Sequence, residues 1–286
     1  MAKVIIIGSG PAGVSASLYT ARAGIDTTII STGYSALKKA EKIENYYGFD
    51  TPVSGSNLEE SGINGAKRLG VNIIEKEVVG ISFDDKLVVK TVDEDIKADG
   101  VIIATGSPRF VPKLAGIKEF EGKGVSYCAV CDAFFYRGKD VAVLGDGEYA
   151  IHEAMELSPI VKSVTILTDG KNSPSNIPDG IKVNTKKIET LIGENRLSAV
   201  KFDDGSSIDV EGVFVAFGVA GSADLARKIG AITDGKDIKV DENMATNIPG
   251  LFAAGDCTGG LLQISKAVGD GAKAGTQLVK QLRKDK

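Results

Sequence analysis

The sequence predicts an α/β protein of two Rossmann-like nucleotide-binding domains, one of them interrupted by the other. Two glycine-rich loops, each preceded by a short apolar run, predict it. Gly8-Ser9-Gly10-Pro11-Ala12-Gly13 follows Lys3 to Ile7, and Gly145-Asp146-Gly147-Glu148-Tyr149-Ala150 follows Asp140 to Leu144. A helix-compatible run and a second strand-like run come after each loop, the βαβ order of a parallel sheet. The third observation is Leu251-Phe252-Ala253-Ala254-Gly255-Asp256, another strand running into a loop. It lies after the second unit has ended, so it completes the first.

Lys3 to Ile7 is a β-branched run of strand length. Val14 to Ala23 carries small and apolar residues at helical spacing and stops at Gly24, and Thr27 to Ile30 is the next strand. Residues 72 to 103 read as several strands with turns at Asp84-Asp85 and Asp93-Glu94, ending in Val101-Ile102-Ile103-Ala104-Thr105-Gly106. Pro108 and Pro112 then break the chain. After the second glycine loop a helix runs to about Leu157, Ser163 to Leu167 is a strand, and Val210 to Phe217 is a return strand ending at Gly218. A last helix spans Ser265 to Leu282. The predicted domains are 1–112 with 219–286, and 113–218.

A chain of 286 residues has room for about two domains. Its 35 glycines exceed the usual share of about 7%, as expected where loops need positive φ or close approach to a ligand. The net charge of −4, without a block of five like charges, carries no nucleic-acid footprint. No run of 18 apolar residues is present to span a membrane, and Val4 to Ile7 is too short for a signal peptide core. Three cysteines do not make a secreted disulfide framework. The expectation is a cytoplasmic protein.

The first glycine loop has a physical reading. Gly8 permits the tight turn, Gly10 lets the backbone approach a pyrophosphate, and Gly13 lets the helix pack on the strand. The helix N-terminus offers free N–H groups to the phosphates. Where an acid would hold a ribose hydroxyl, the chain has Ser31 and Thr32.

Cys128 and Cys131, with Asp132 directly after, lie between the two glycine loops. A C-x-x-C pair can close a small disulfide and open to a reactive thiolate, and Asp132 can relay the proton that dithiol chemistry moves. The alternative is a metal site, because Cys128, Cys131, Cys257 and His152 nominally make a Cys₃His set. Against it, His152 falls in the helix after the second glycine loop and Cys257 follows another nucleotide-type motif.

Tyr127-Cys128-Ala129-Val130-Cys131-Asp132-Ala133-Phe134-Phe135-Tyr136 resembles the active-site segment of the bacterial low-molecular-weight thioredoxin reductases. Gly8 to Gly13, Glu44-Asn45-Tyr46-Tyr47-Gly48, Ala104-Thr105-Gly106, Gly255-Asp256 and Gln263 before Ala267-Val268-Gly269 match that family's FAD segments in the same order. The resemblance implies FAD, a homodimer, thioredoxin as disulfide substrate and no metal. It makes 1–112 with 219–286 the FAD domain, split around an inserted NAD(P)-like domain that carries the C-x-x-C. Cys131 would face the flavin, Cys128 would exchange with thioredoxin, and Asp132 would assist. Ser9, Pro11, Ala12, Asn45, Thr105, Asp256 and Gln263 fall among the FAD contacts.

The second loop departs from the family, which has a neutral Gly-Gly-Gly-Asn-Ser/Thr-Ala. Here Asp146 and Glu148 stand where a pyrophosphate would lie. Two like charges 4 Å apart cost about 4 kcal/mol at an effective dielectric of about 20. The family's His-Arg-Arg stretch for the 2′-phosphate is missing too: no arginine occurs between Arg137 and Arg196, and the connecting helical segment is shortened. Asp169 could serve instead as the ribose acid of an NADH enzyme. The pattern resembles the ferredoxin-dependent flavin thioredoxin reductases. A basic docking patch for acidic ferredoxin is then expected at Lys38-Lys39 with Lys42, at Lys186-Lys187, or at Lys280, Arg283 and Lys284.

Overall fold

The computed structural model describes residues 2–33, 35–106 and 113–284. The chain divides into two compact units, residues 1–108 with 221–286 and residues 109–220. Pro108 and Pro112, which the sequence places at the first boundary, lie outside the described residues.

The first unit opens with β1 (Lys3–Ile7), α1 (Pro11–Arg22), β2 (Asp26–Ser31), α2 (Gly55–Arg68) and β3 (Asn72–Glu75). Three antiparallel strands follow, β4 (Val78–Asp84), β5 (Lys86–Thr91) and β6 (Asp95–Ala98), and then β7 (Gly100–Ile103). The second unit contains β8 (Val125–Ser126), α3 (Ala129–Asp132), β9 (Asp140–Leu144), α4 (Glu148–Leu157), β10 (Ser163–Leu167) and β11 (Ile181–Asn184). It continues through β12 (Ile188–Gly193), β13 (Leu197–Phe202) and β14 (Ser207–Asp209) to β15 (Gly212–Val215). The chain returns to the first unit with α5 (Ser222–Lys228), β16 (Thr233–Asp234), β17 (Asp237–Ile238), β18 (Leu251–Ala253) and α6 (Ile264–Lys284).

Each unit is built on a five-stranded parallel sheet, in the order β18-β7-β1-β2-β3 in the first and β11-β10-β9-β15-β8 in the second. Strands buried on both faces need continuous apolar runs, and Val4, Ile5, Ile6, Val101, Ile102 and Ile103 are fully buried. Each unit also has a three-stranded antiparallel sheet, β4-β5-β6 and β12-β13-β14. The α/β class and the interruption of one unit by the other are as the sequence predicts.

In the first unit α1 and α6 pack at backbone distance. A Cβ on Gly271 would run into the Ala12 carbonyl, and one on Gly275 would meet the Ala16 carbonyl at 2.6 Å. Small residues on this seam let α6 lie directly on the helix that follows the first glycine loop.

In the second unit β10 pairs in parallel with β11, yet residues 168–180 between them contain no helix. The shortened crossover read from the sequence is therefore a connection of turns and extended chain.

Candidate active site: a disulfide and a nucleotide cradle

In the second unit Cys128 and Cys131 form a disulfide, with their Cα atoms 5.3 Å apart. Cys128 is the N-cap of α3, where its sulfur accepts the Cys131 N–H at 3.2 Å. Two further N–H groups of this turn are also engaged. Ser126 Oγ accepts the Cys128 N–H at 3.2 Å and donates to Asp132 Oδ2 at 2.7 Å. Glu153, from α4, accepts the Ala129 N–H at 2.9 Å. Asp132 is thus coupled to the Cys128 backbone through one hydroxyl. Tyr136, one turn on, has its phenol pushed upward, first by burial and then by the charge of Asp132.

Access to the two sulfurs is unequal. Cys128 is 4% exposed, whereas Cys131 lies in an exposed position among exposed Val130, Phe134 and Phe135.

In the first unit three predicted segments meet because their strands are neighbours. Gly8 to Gly13 leaves β1, Ala104-Thr105-Gly106 leaves β7, and Gly255-Asp256 leaves β18, which puts the loops side by side at the carboxyl edge of the sheet. Gly8 has φ +110°, and a Cβ there would strike the Ala104 carbonyl. A Cβ on Gly13 would strike the Gly8 carbonyl, whereas one on Gly10 would meet nothing within 4 Å. Helix α1 begins with Pro11 and has no side-chain cap, so its first N–H groups face this space. Asn45 and Gln263, 218 residues apart, are joined by Asn45 Nδ2 donating to Gln263 Oε1 at 2.9 Å.

Lys266 locks the far side of this cradle. Its ammonium donates to the Gly255 carbonyl at 2.9 Å, Thr258 Oγ1 at 3.0 Å and the Gly259 carbonyl at 2.7 Å, and pairs with Asp270 at 2.8 Å. Asp270 in turn accepts the Gly255 N–H at 3.2 Å. Cys257 is fully buried, with its sulfur against the Ile103 and Ala254 carbonyls, and burial pushes its thiol up to about 12. His152 pairs with Glu156 at 3.6 Å. Among the described residues no group of three His, Cys, Asp or Glu could hold a metal ion.

The second glycine loop retains the turn. A Cβ on Gly145 would run into the Ala216 carbonyl, and Gly147 is the N-cap of α4 without a side-chain cap bond. Its charges are arranged differently from the expectation of two bare carboxylates. Lys171 pairs with Asp146 at 2.8 Å, and its ammonium stands 5.5 Å from the centre of the Phe217 ring. Glu148 occupies the first turn of α4, where a carboxylate complements the helix dipole. Asp169, with φ +53°, accepts the Ile188 N–H at 2.9 Å.

The pyridine nucleotide-disulphide oxidoreductase family model matches residues 2–271. Over 297 residues the chain is 36% identical to a thioredoxin reductase of Listeria monocytogenes, covering 95% of this chain and 91% of that one. The chain belongs to the thioredoxin reductases. Among solved structures, the atypical thioredoxin reductase TRi of Desulfovibrio vulgaris Hildenborough matches with a TM-score of 0.93 at 40% identity, covering 100% of this chain and 99% of that one. A ferredoxin-flavin thioredoxin reductase of Clostridium acetobutylicum matches with a TM-score of 0.71 at 30% identity, covering 99% and 98%.

Thioredoxin reductases of this family are FAD-binding flavoproteins. The cradle of this reductase fits that group. Thr105 Oγ1 is buried with no hydrogen-bond partner among the described residues, the space over Gly10 is open, and the α1 N-terminus is uncapped. A buried polar atom left alone is costly, and a polar ligand in the cradle supplies the partner.

Sequence reasoning missed Ser126, Glu153, Lys171, Lys266 and Asp270. Three of these had a readable signal. Glu153 falls on the buried stripe of α4 with Tyr149, Ala150, Ala154 and Leu157, where a carboxylate is out of place unless it serves a partner. Lys266 and Asp270 stand at i and i+4 directly after Gln263.

Proposed function

We propose that this thioredoxin reductase takes its electrons from reduced ferredoxin rather than from NADPH or NADH, and works as a cytoplasmic homodimer. The observation that carries the proposal is the second glycine loop. The Lys171–Asp146 pair lies over it, Glu148 offsets the α4 N-terminus, and no arginine follows on the 168–180 connection. A pyrophosphate would have to displace an ion pair already made and share the helix end with a carboxylate. The NADH reading leans on Asp169, one of whose oxygens already accepts the Ile188 N–H. The similarity to a ferredoxin-flavin thioredoxin reductase supports the same donor.

The residues proposed to hold FAD are Gly8 to Gly13, Ala104 to Gly106, Gly255 and Asp256, with Asn45 and Gln263 as side-chain contacts. When bound, FAD supplies the ability to accept single electrons and to reduce a disulfide by two. The redox domain is 113–218, and the FAD domain is 1–112 with 219–286.

We assign the exchange step to Cys128 and the resolving step to Cys131, whose exposed position leaves it open to the flavin. In the reduced state the Cys128 thiolate attacks one sulfur of the thioredoxin disulfide. A Cys128–thioredoxin disulfide forms and the other thioredoxin sulfur leaves as a thiolate that takes a proton. Cys131 then attacks the Cys128 sulfur, closing the Cys128–Cys131 disulfide and releasing the second thioredoxin thiol. Two electrons pass to thioredoxin, and Asp132, held by Ser126, moves the proton. Phe134 and Phe135, 69% and 68% exposed, offer apolar surface beside the pair for the partner.

The three basic patches are not equivalent. Lys280, Arg283 and Lys284 lie at the end of α6, whose 21 residues carry them about 30 Å from Gln263 at its start. Ion pairing does not separate the other two, since Lys186 pairs with Asp204 at 2.7 Å, Lys42 with Glu44 at 2.9 Å and Lys38 with Glu59 at 3.8 Å. Lys38, Lys39 and Lys42 are exposed on the segment leading to Asn45, next to exposed Tyr47 and Phe49. This patch is the proposed ferredoxin dock. The test is thioredoxin reduction by the purified, anaerobic enzyme with reduced ferredoxin, NADPH or NADH as donor. Turnover with ferredoxin alone supports the proposal, and comparable turnover with either nucleotide overturns it.

A further inference from the structure

The flavin cradle has no acid at the end of β2. In a dinucleotide-binding βαβ unit an Asp or Glu about 20 residues after the glycine loop accepts a ribose hydroxyl. Here that stretch reads Ser31-Thr32-Gly33. The neighbouring strand brings a carboxylate to the same place. β3 runs parallel to β2 with Glu75 level with Ser31, so the two strands end together at the carboxyl edge of the sheet. A Cβ built on Gly33 would lie 2.9 Å from Glu75 Oε1, 3.2 Å from its Cδ and 3.7 Å from Oε2. The Glu75 carboxylate therefore stands where a side chain of residue 33 would begin.

This strand end is tied to the phosphate loop. Ser9 Oγ donates to Ser31 Oγ at 2.9 Å, and the Gly8 N–H donates to the Ile30 carbonyl at 2.8 Å. Ser31 Oγ also accepts the Gly33 N–H at 3.2 Å. Glu75 is exposed and makes no hydrogen bond or ion pair among the described residues, whereas the next residue, Lys76, pairs with Asp93 and Glu94. Both Glu75 oxygens are open as acceptors.

We propose that Glu75 is the ribose-binding residue of the FAD cradle: from β3 it accepts a hydroxyl of the adenosine ribose, in place of the acid that β2 lacks. The inference rests on Gly8 to Gly13 holding the FAD pyrophosphate. The charge of Glu75 separates this role from that of a solvated side chain. A carboxylate near a pyrophosphate repels it, so removing one that makes no bond to the ligand leaves FAD affinity unchanged or raises it. Removing one that holds a hydroxyl lowers it, because a hydrogen bond to a charged acceptor is among the stronger ones.

The experiment frees the full-length protein of flavin and titrates it by flavin fluorescence. The ligands are FAD and two analogues whose adenosine lacks either the 2′- or the 3′-hydroxyl. Glu75→Ala is expected to weaken FAD binding about tenfold. Wild type is expected to bind at least one of the analogues about tenfold more weakly than FAD, and Glu75→Ala to bind FAD and that analogue about equally. Unchanged or tighter FAD binding by Glu75→Ala overturns the proposal. So does a variant that still discriminates between FAD and the analogues as wild type does, or a wild type that discriminates against neither analogue. If wild type takes up no FAD, the reading of the cradle falls together with the proposal. If wild type binds FAD and Glu75→Ala matches it, the proposal alone falls.

Discussion

Lys171 Nζ lies 2.8 Å from Asp146 Oδ2, and this pair occupies the loop that would otherwise receive a pyrophosphate. One of the two negative charges in the second glycine loop is therefore already compensated, and Glu148 remains as the main opposing charge. A like charge about 4 Å from a phosphate costs between about 1 and 4 kcal/mol, depending on how far water screens it. The double variant Asp146→Gly, Glu148→Asn should raise NADPH affinity by about tenfold or more, measured by calorimetry. Turnover with NADPH should stay low, because no arginine lies between Arg137 and Arg196 to hold the 2′-phosphate. Unchanged affinity would mean that the loop charges do not govern nucleotide binding.

The buried and exposed cysteines should behave differently when each is removed. Both Cys128→Ser and Cys131→Ser should abolish turnover with thioredoxin. If Cys128 carries the exchange step, Cys131→Ser should trap a mixed disulfide with a thioredoxin that lacks its own resolving cysteine. Cys128→Ser should not. Non-reducing electrophoresis and mass spectrometry separate the outcomes, and trapping through Cys131 instead would move the exchange step to the exposed residue.

FAD retention should depend on one residue that makes no obvious nucleotide motif. Lys266 ties Gly255, Thr258 and Gly259 together and neutralises Asp270, so Lys266→Met leaves a partly buried carboxylate without its cation. The loop carrying Asp256 loosens, and FAD affinity should fall by about tenfold to a hundredfold, about 1.4–2.7 kcal/mol. Gly13→Ala should be more severe, since its Cβ would strike the Gly8 carbonyl and the variant should not retain flavin. Flavin absorbance after gel filtration reads both.

The third cysteine should stay silent. Burial disfavours the Cys257 thiolate and raises its pKa to about 12, so the reactive form appears only as the pH approaches that value. At pH 8 roughly one molecule in ten thousand carries the thiolate. Alkylation of the reduced native protein at pH 8 should label Cys128 and Cys131 alone, with Cys257 labelled only after denaturation. Mass spectrometry of the labelled peptides checks this.

Much of the architecture was legible in the chain because parallel strands buried on both faces must read as apolar runs. Lys3–Ile7 and Asp140–Leu144 coincide with the strands read from sequence, and the glycine loops follow from backbone geometry. Helix α2 was not legible: Gly55, Gly62 and Gly65 interrupt it, and it buries only Gly55, Glu59 and Ala66. Strands β11 to β14 lie among charged and polar residues with half-buried patterns, which blurs the alternation. The return strand was read too long, as Val210 to Phe217 against Gly212–Val215, because the flanking apolar residues are buried and keep backbone hydrogen bonds, Val210 to Ser198 and Ala216 to Leu144, outside the strand's bounds. At the site, the cysteines and the cradle were readable from local motifs. The Lys171–Asp146 pair and the Glu153 contact join residues 24 or 25 positions apart, and no local pattern foretells them.

The central claim concerns the electron source, and the flavin's own absorbance reports it. Oxygen-free holoenzyme is mixed in a stopped-flow instrument with reduced ferredoxin, with NADPH or with NADH, and the loss of flavin absorbance is followed. The account predicts rapid bleaching with ferredoxin, slowed by salt and by charge reversal at Lys38, Lys39 and Lys42, and no comparable bleaching with either nucleotide. Rapid bleaching by NADPH or NADH at low concentration would contradict it.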